Sequence, residues 1–174
     1  MQHIIDLTRN PNIRTAAGAR EWFNRHPPIQ ASVSHTHHAN SDDVTPTAAN
    51  IILSGDPQVQ SRLRCVTYGI FDPQKTFKTE CRRRLKVAFT GDGVRHFPIF
   101  AARTHVCVTA TFNVVRMNKD IDNLLKLILD VLSGVVYAND VDVTMVVAKK
   151  QRATLGDDNA CTILTIESIT TLTD

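Results

Sequence analysis

The stretch Thr104-His-Val-Cys-Val-Thr-Ala-Thr-Phe-Asn-Val-Val115 alternates apolar and polar residues, and Asp120-Ile-Asp-Asn-Leu-Leu-Lys-Leu-Ile-Leu-Asp-Val-Leu-Ser133 follows it with helical spacing. Alternation sets Val106, Val108, Ala110, Phe112 and Val114 on one side of a strand. Ile121, Leu124, Leu125, Ile128, Leu129, Val131 and Leu132 share one broad helical stripe, leaving Asp122, Lys126 and Asp130 near a common polar face. Ser133-Gly134 supplies the helix stop. Beyond it lies an acidic corner, Asn139-Asp140-Val141-Asp142, and Val143 to Ala148 reads as a strand leaving that corner. The chain is expected to turn back here, so that Asp140 meets Asp120 and Asp122.

The charges carry the chemistry. Asp120 and Asp122 stand two residues apart at a strand-to-helix junction, where extended backbone points both to one side and the helix N-terminus favours negative charge. Lys126 follows Asp122 by one turn and places a cation beside the carboxylates. Hard oxygen ligands suit Mg²⁺, with Mn²⁺ as an alternative, better than zinc. Crowded carboxylates need such a cation, and a bound ion lowers the pKa of its water while stabilising charge on a phosphodiester under attack. Taken singly, each acid reads as a helix-capping or dipole partner. Together with Lys126, Asp130 and Asp140 they read as a metal site.

These residues resemble the signature of the RusA-type Holliday junction resolvases: Lys119, Asp120, Ile121, Asp122, Asn123, Lys126, Asp130 and Asn139-Asp140. The similarity runs from about Val106 to Val147. It implies a small Mg²⁺-dependent DNA endonuclease that forms homodimers and acts on branched, four-way DNA. It further implies that Asp120, Asp122 and Asp140 bind metal and that Lys126 is needed for cleavage. Asp142 stands where the family has a polar neutral residue, so it is a spare candidate, as are Asp130 and Asn139. The loops Phe71–Lys75 and Val115–Lys119 hold fewer of the family's asparagines and arginines, which keeps two alternatives open: a non-catalytic nucleic-acid-binding module of the same fold, and a nuclease for flaps or forks.

With 174 residues the chain suits one domain plus an extension, and its net charge of +3 is compatible with a phosphate-bearing partner without requiring one. No apolar run is long enough to span a bilayer or to form a secretory signal, so an intracellular, non-secreted protein is expected. The four cysteines, Cys65, Cys81, Cys107 and Cys161, lack metal or disulfide spacing and read as buried reduced thiols. Residues 1–58 are expected to be an N-terminal extension: a short helix from Ala16 to Arg25, then a polar, partly flexible linker from Ile29 to Asn50 rich in Ser, Thr, Asn and His, with the apolar Ala48 to Leu53 as an added structured piece packing on the domain. His35, His37 and His38 lack ligand companions there and belong to that tract. Arg9, Arg14, Arg20 and Arg25 hint at organelle targeting, a pattern that Asp6 and Glu21 interrupt. Trp22 and Tyr137 are expected to pack in the core.

Residues 59–174 are expected to be the endonuclease domain. Leu63 to Phe71 is a candidate strand. Thr76 to Phe89 is a candidate helix, with Phe77, Cys81, Leu85 and Ala88 facing in and Lys78, Arg82, Arg83, Arg84 and Lys86 facing out. Ala160 to Ile169 is a last strand. The sum is α+β, a mixed sheet packed against two main helices. Arg82, Arg83, Arg84, Lys86, Arg116 and Lys119 are the candidates for DNA-backbone contact.

Overall fold

The computed structural model describes residues 16–25, 29–37, 44–61, 64–66, 69–154 and 159–169. The elements are α1 (Ala16–Arg25), β1 (Gln30–His37), β2 (Val44–Ser54), β3 (Arg64–Val66), β4 (Gly69–Phe71), α2 (Lys75–Gly91), β5 (Val106–Val114), α3 (Ile121–Leu132), β6 (Val143–Arg152) and β7 (Cys161–Ser168). A single 3-10 turn, Asp140–Asp142, precedes β6. The main sheet has five strands in the order β1-β2-β7-β5-β6. Only β5 and β6 run parallel; the other neighbours are antiparallel. The fold is thus α+β with a mixed sheet, and α1 joins the two expected helices.

One face of the sheet is covered. Val106, Val108, Ala110, Phe112 and Val114 of β5 are buried, as alternation requires. Phe77, Cys81, Leu85 and Phe89 of α2 meet the same core, whereas Ala88, expected to face in, is half-buried. In α3 the buried set is Leu124, Leu127, Ile128, Val131 and Leu132, while Ile121 is exposed. The stripe is therefore rotated from the expected one toward Leu127, because α2 closes a second side of this helix. Gly134 ends α3 with φ 76°, a left-handed conformation that glycine takes without strain. Burial pushes the Cys81 thiol up to about 12, so it stays protonated and inert, and Cys107 and Cys161 are free and half-buried.

Two expectations need correcting. The tract read as a polar linker forms β1 and most of β2, paired antiparallel from Gln30↔Ile52 to His37↔Val44. β2 then pairs with β7 from Ala48↔Glu167 to Ser54↔Cys161. Ala49, Ile51 and Leu53 are buried, Ala31 and Val33 partly so, and the Ser, Thr and Asn between them face away. Polar residues on one face of an antiparallel ribbon resemble a linker in composition while obeying strand periodicity. The run Leu63 to Phe71 is not one strand but two short ones paired with each other, Arg64↔Phe71 to Val66↔Gly69, in a separate small sheet. A glycine inside the run favours that break.

The helix expected at Ala16 to Arg25 is present, and Trp22 and Phe23 pack on Phe77 with centroid separations of 5.3 Å. Tyr137 is likewise buried, its hydroxyl donating to the Leu129 carbonyl at 3.0 Å. His35 lies exposed on β1. Arg9, Arg14 and His38 lie outside the described residues, as does the side chain of His37. No helix among the described residues is long and apolar enough to cross a membrane.

Candidate metal and nucleic-acid site

β5 leads through Val115–Lys119 to Asp120, which occupies the N-cap of α3 with extended backbone and no side-chain capping bond. Asp120, Asp122 and Lys126 are all exposed. Among the described residues the one side-chain hydrogen bond of this trio is a long one, Asn123 Nδ2 donating to Asp120 Oδ2 at 3.4 Å. Their oxygens and ammonium are thus available to a ligand, and the dipole of α3 adds partial positive charge behind the two carboxylates.

The loop that presents them is braced. Asp56 Oδ1 accepts the Val115 N–H at 3.0 Å, and Lys119 Nζ donates to Asp56 Oδ2 at 2.6 Å and also to the Pro57 carbonyl. Lys150 Nζ donates to the carbonyls of Met117, at 3.0 Å, and of Lys119. The Gln60 N–H reaches the Asn123 carbonyl at 2.9 Å. Sequence reasoning missed Asp56, Gln60 and Lys150. Asp56-Pro57 after an apolar run looks like any turn, and Lys150 looks like any strand end.

The second acidic cluster lies elsewhere. Parallel β5 and β6 require the intervening helix to begin at one end of the sheet and finish at the other. The 12 residues of α3 span about 18 Å. Asp140, just before β6, therefore sits at the opposite end from Asp120 and Asp122. Among the described residues no three His, Cys, Asp or Glu side chains gather in a group that could hold a metal ion. The expectation that the chain turns back to unite the three carboxylates is corrected by this crossover.

Around Asp140 the roles separate. Asp142, only 4% exposed, accepts the Arg103 N–H at 3.1 Å and forms a capping box with Asn139. Asn139 and Asp142 thus shape the turn. Asp140 is exposed, and its pKa is raised by partial burial and by the Asp130 carboxylate, against the pull of Arg82. Asp130 itself is ion-paired: Lys78 Nζ lies 2.9 Å from its carboxylate and 2.6 Å from that of Asp72.

Lys78 was expected on a solvated face, yet it is 8% exposed. Burial disfavours its charge, but the two carboxylates outweigh that and raise its pKa. Burial likewise opposes the Asp72 charge, and hydrogen bonds from Lys78 and the Gln74 N–H overcome it, leaving the pKa below 3.8. Lys78→Met is expected to lower stability by about 2 kcal/mol, less than the ~3–5 kcal/mol of a fully buried pair because both carboxylates keep some water. Denaturant titrations of both proteins read this. The Asp72 share is complete above pH 3.8 and fades as pH falls through its depressed folded value, so the gap between the proteins narrows in acid.

The basic candidates are largely engaged. Arg82 donates to the carbonyls of Asp130 and, at 3.4 Å, Val131, closing the end of α3. Arg83 and Arg84 each lie 2.8 Å from Glu80 and hold its pKa down to about 2, Arg83 most strongly. The Arg84 guanidinium also covers the Phe23 ring at 4.7 Å, and Lys86 lies 5.5 Å from the Phe97 centroid. Lys119 is committed to Asp56. Arg116 is exposed with no ion pair among the described residues. Of the six, Arg116 and Lys86, both exposed and without an ion pair among the described residues, are the freest.

Exposed paired carboxylates at a strand-to-helix junction, with a lysine one turn on, are compatible with the chemistry of a phosphodiester-cutting nuclease. Comparison with family models agrees: residues 55–167 match endodeoxyribonuclease RusA. The chain belongs to the RusA family of endodeoxyribonucleases, the Holliday junction resolving enzymes. The match begins after β2, so α1, β1 and β2 lie outside it. No curated protein matches the chain.

Proposed function

We propose that this protein is a Mg²⁺- or Mn²⁺-dependent endodeoxyribonuclease that cuts four-way DNA junctions as a homodimer. The observation that carries the reading is the pair Asp120 and Asp122, exposed and without an ion-pair partner among the described residues, with Lys126 one helical turn away. The donor set is all carboxylate, which fits a hard cation. When bound, such an ion supplies a water of lowered pKa and stabilises charge on the phosphorus oxygens. Asp120 and Asp122 would hold it, and Lys126 would bind the phosphate, offset its developing charge or protonate the leaving 3′ oxygen.

Among the described residues one chain brings too few ligands together, and we infer from the sheet what supplies the third. At one edge, β1 is blunted by Asp92, whose Oδ2 takes the Val33 N–H at 2.7 Å. At the other edge β6 is open, and Val141, Met145 and Val147 beside it are 80%, 55% and 51% exposed. An antiparallel pairing of β6 with its copy would set Asp140 of one chain against the far end of the partner strand. At that end Lys150 is tied to the carbonyls of Met117 and Lys119, immediately before Asp120. Each site in this reading takes Asp120, Asp122 and Lys126 from one chain and Asp140 from the other. Paired sites also suit the approximate two-fold symmetry of a four-way junction.

A labelled four-way junction, a fork and a linear duplex, incubated with Mg²⁺, Mn²⁺ or EDTA, test this. Paired metal-dependent nicks in the junction are expected, and none with EDTA. Binding without cleavage under either metal would establish the non-catalytic module, and preferential cutting of the fork would establish a flap or fork nuclease.

A further inference from the structure

The loop Val115–Lys119 has no strand partner and no helical bonds of its own, yet it must fix where Asp120 points. Its anchors come from distant parts of the chain. Asp56 supplies two of them with its two oxygens: the Val115 N–H at the start of the loop and the Lys119 ammonium at its end. It grips both ends at once. The side chains of Asp56 and Lys119 are 12% and 17% exposed, so the ion pair is poorly screened and its geometry well defined. Lys150 takes two carbonyls from the other side. The segment carrying Asp56 continues across the start of α3, where the Gln60 N–H reaches the Asn123 carbonyl and the Ser61 N–H reaches Gln74 Oε1 at 2.6 Å.

From this geometry we infer that Asp56 is a positioning residue: it sets the β5–α3 loop so that Asp120 and Asp122 face a common metal ion. The inference rests on the reading of Asp120 and Asp122 as metal ligands. Asp56 touches neither metal nor substrate. Its loss should act on metal affinity and leave junction binding, which other residues carry, nearly unchanged.

The test compares wild type with Asp56→Asn, which removes the ion pair, and with Lys150→Met, which loosens the loop without touching the Asp56 carboxylate. Backbone hydrogen exchange reports the loop, and the Mg²⁺ dependence of junction cleavage reports the site. Exchange across 115–119 should rise in both variants with α3 still protected. The Mg²⁺ concentration for half-maximal cleavage should rise about tenfold, the lower range for losing an outer support of a ligand, with junction affinity within about twofold. Unchanged exchange overturns the proposal. So does faster exchange, or a lower melting temperature, with the Mg²⁺ dependence unmoved, since a merely structural carboxylate would do that. If wild type itself shows no metal-dependent cleavage, the metal reading fails and this proposal with it, a result seen in the parent protein and not only in the variants.

Discussion

Asp122→Asn should reduce junction cleavage by more than about a hundredfold, because even an outer partner of a metal ligand is worth 10–100-fold. Binding of the junction should hold or tighten, since one carboxylate no longer repels the phosphate backbone. Stability should change little. Asp122 is exposed and makes no ion pair or capping bond among the described residues, so the substitution removes no internal contact. The separation of binding from cleavage is the informative part. A residue acting only as a dipole partner at the start of α3 would give a small loss of stability and normal cleavage. Band-shift titration and single-turnover cleavage on one protein preparation distinguish these outcomes.

The second large effect concerns assembly. Asp140→Asn and Asp122→Asn should each be inactive, although their side chains stand at opposite ends of α3. Within one chain Asp122 stands in the first turn of α3 and Asp140 beyond its last, so most of a helix about 18 Å long lies between them, whereas metal–oxygen bonds are near 2 Å. Two inactive chains that differ in which end is damaged should therefore complement each other. A heterodimer holds one site with both substitutions and one site with neither. It should nick at about half the wild-type rate and on one strand only.

Much of the architecture was legible because it is local. The alternation from Val106 to Val114 and the helical spacing from Ile121 to Leu132 are short-range periodicities, and both elements form where those periods place them. Leu127 escaped notice because its burial depends on α2, a neighbour that no local period announces. β1 and β2 were hidden by composition: Ser, Thr and Asn on the outer face outnumber the buried Ala49, Ile51 and Leu53. The parallel partnership of β5 with β6, which separates Asp140 from Asp120, is a non-local fact that spacing along the chain does not encode.

The site divides the same way. Asp120, Asp122 and Lys126 were found by their spacing. Asp142 was taken for a spare ligand, yet Asn139-x-x-Asp142 is the spacing of a capping box, a signal present in the sequence and outranked by the acidity of the corner. The run from Arg82 to Lys86 looked like a basic face, and the structure turns much of it inward. Arg82 ends α3, Arg84 lies on Phe23, and Glu80 draws on two guanidiniums. The roles of Lys78 and Asp56 were not legible because the partners Asp130 and Lys119 lie more than forty residues away.

The most direct measurement is junction nicking by the heterodimer of Asp122→Asn and Asp140→Asn chains, co-expressed with different tags and purified through both. The account predicts Mg²⁺-dependent nicks on a single strand from a heterodimer whose two parent homodimers cut nothing. A doubly tagged heterodimer that binds the junction and leaves both strands intact, while wild type cuts both, would contradict a site shared between two chains.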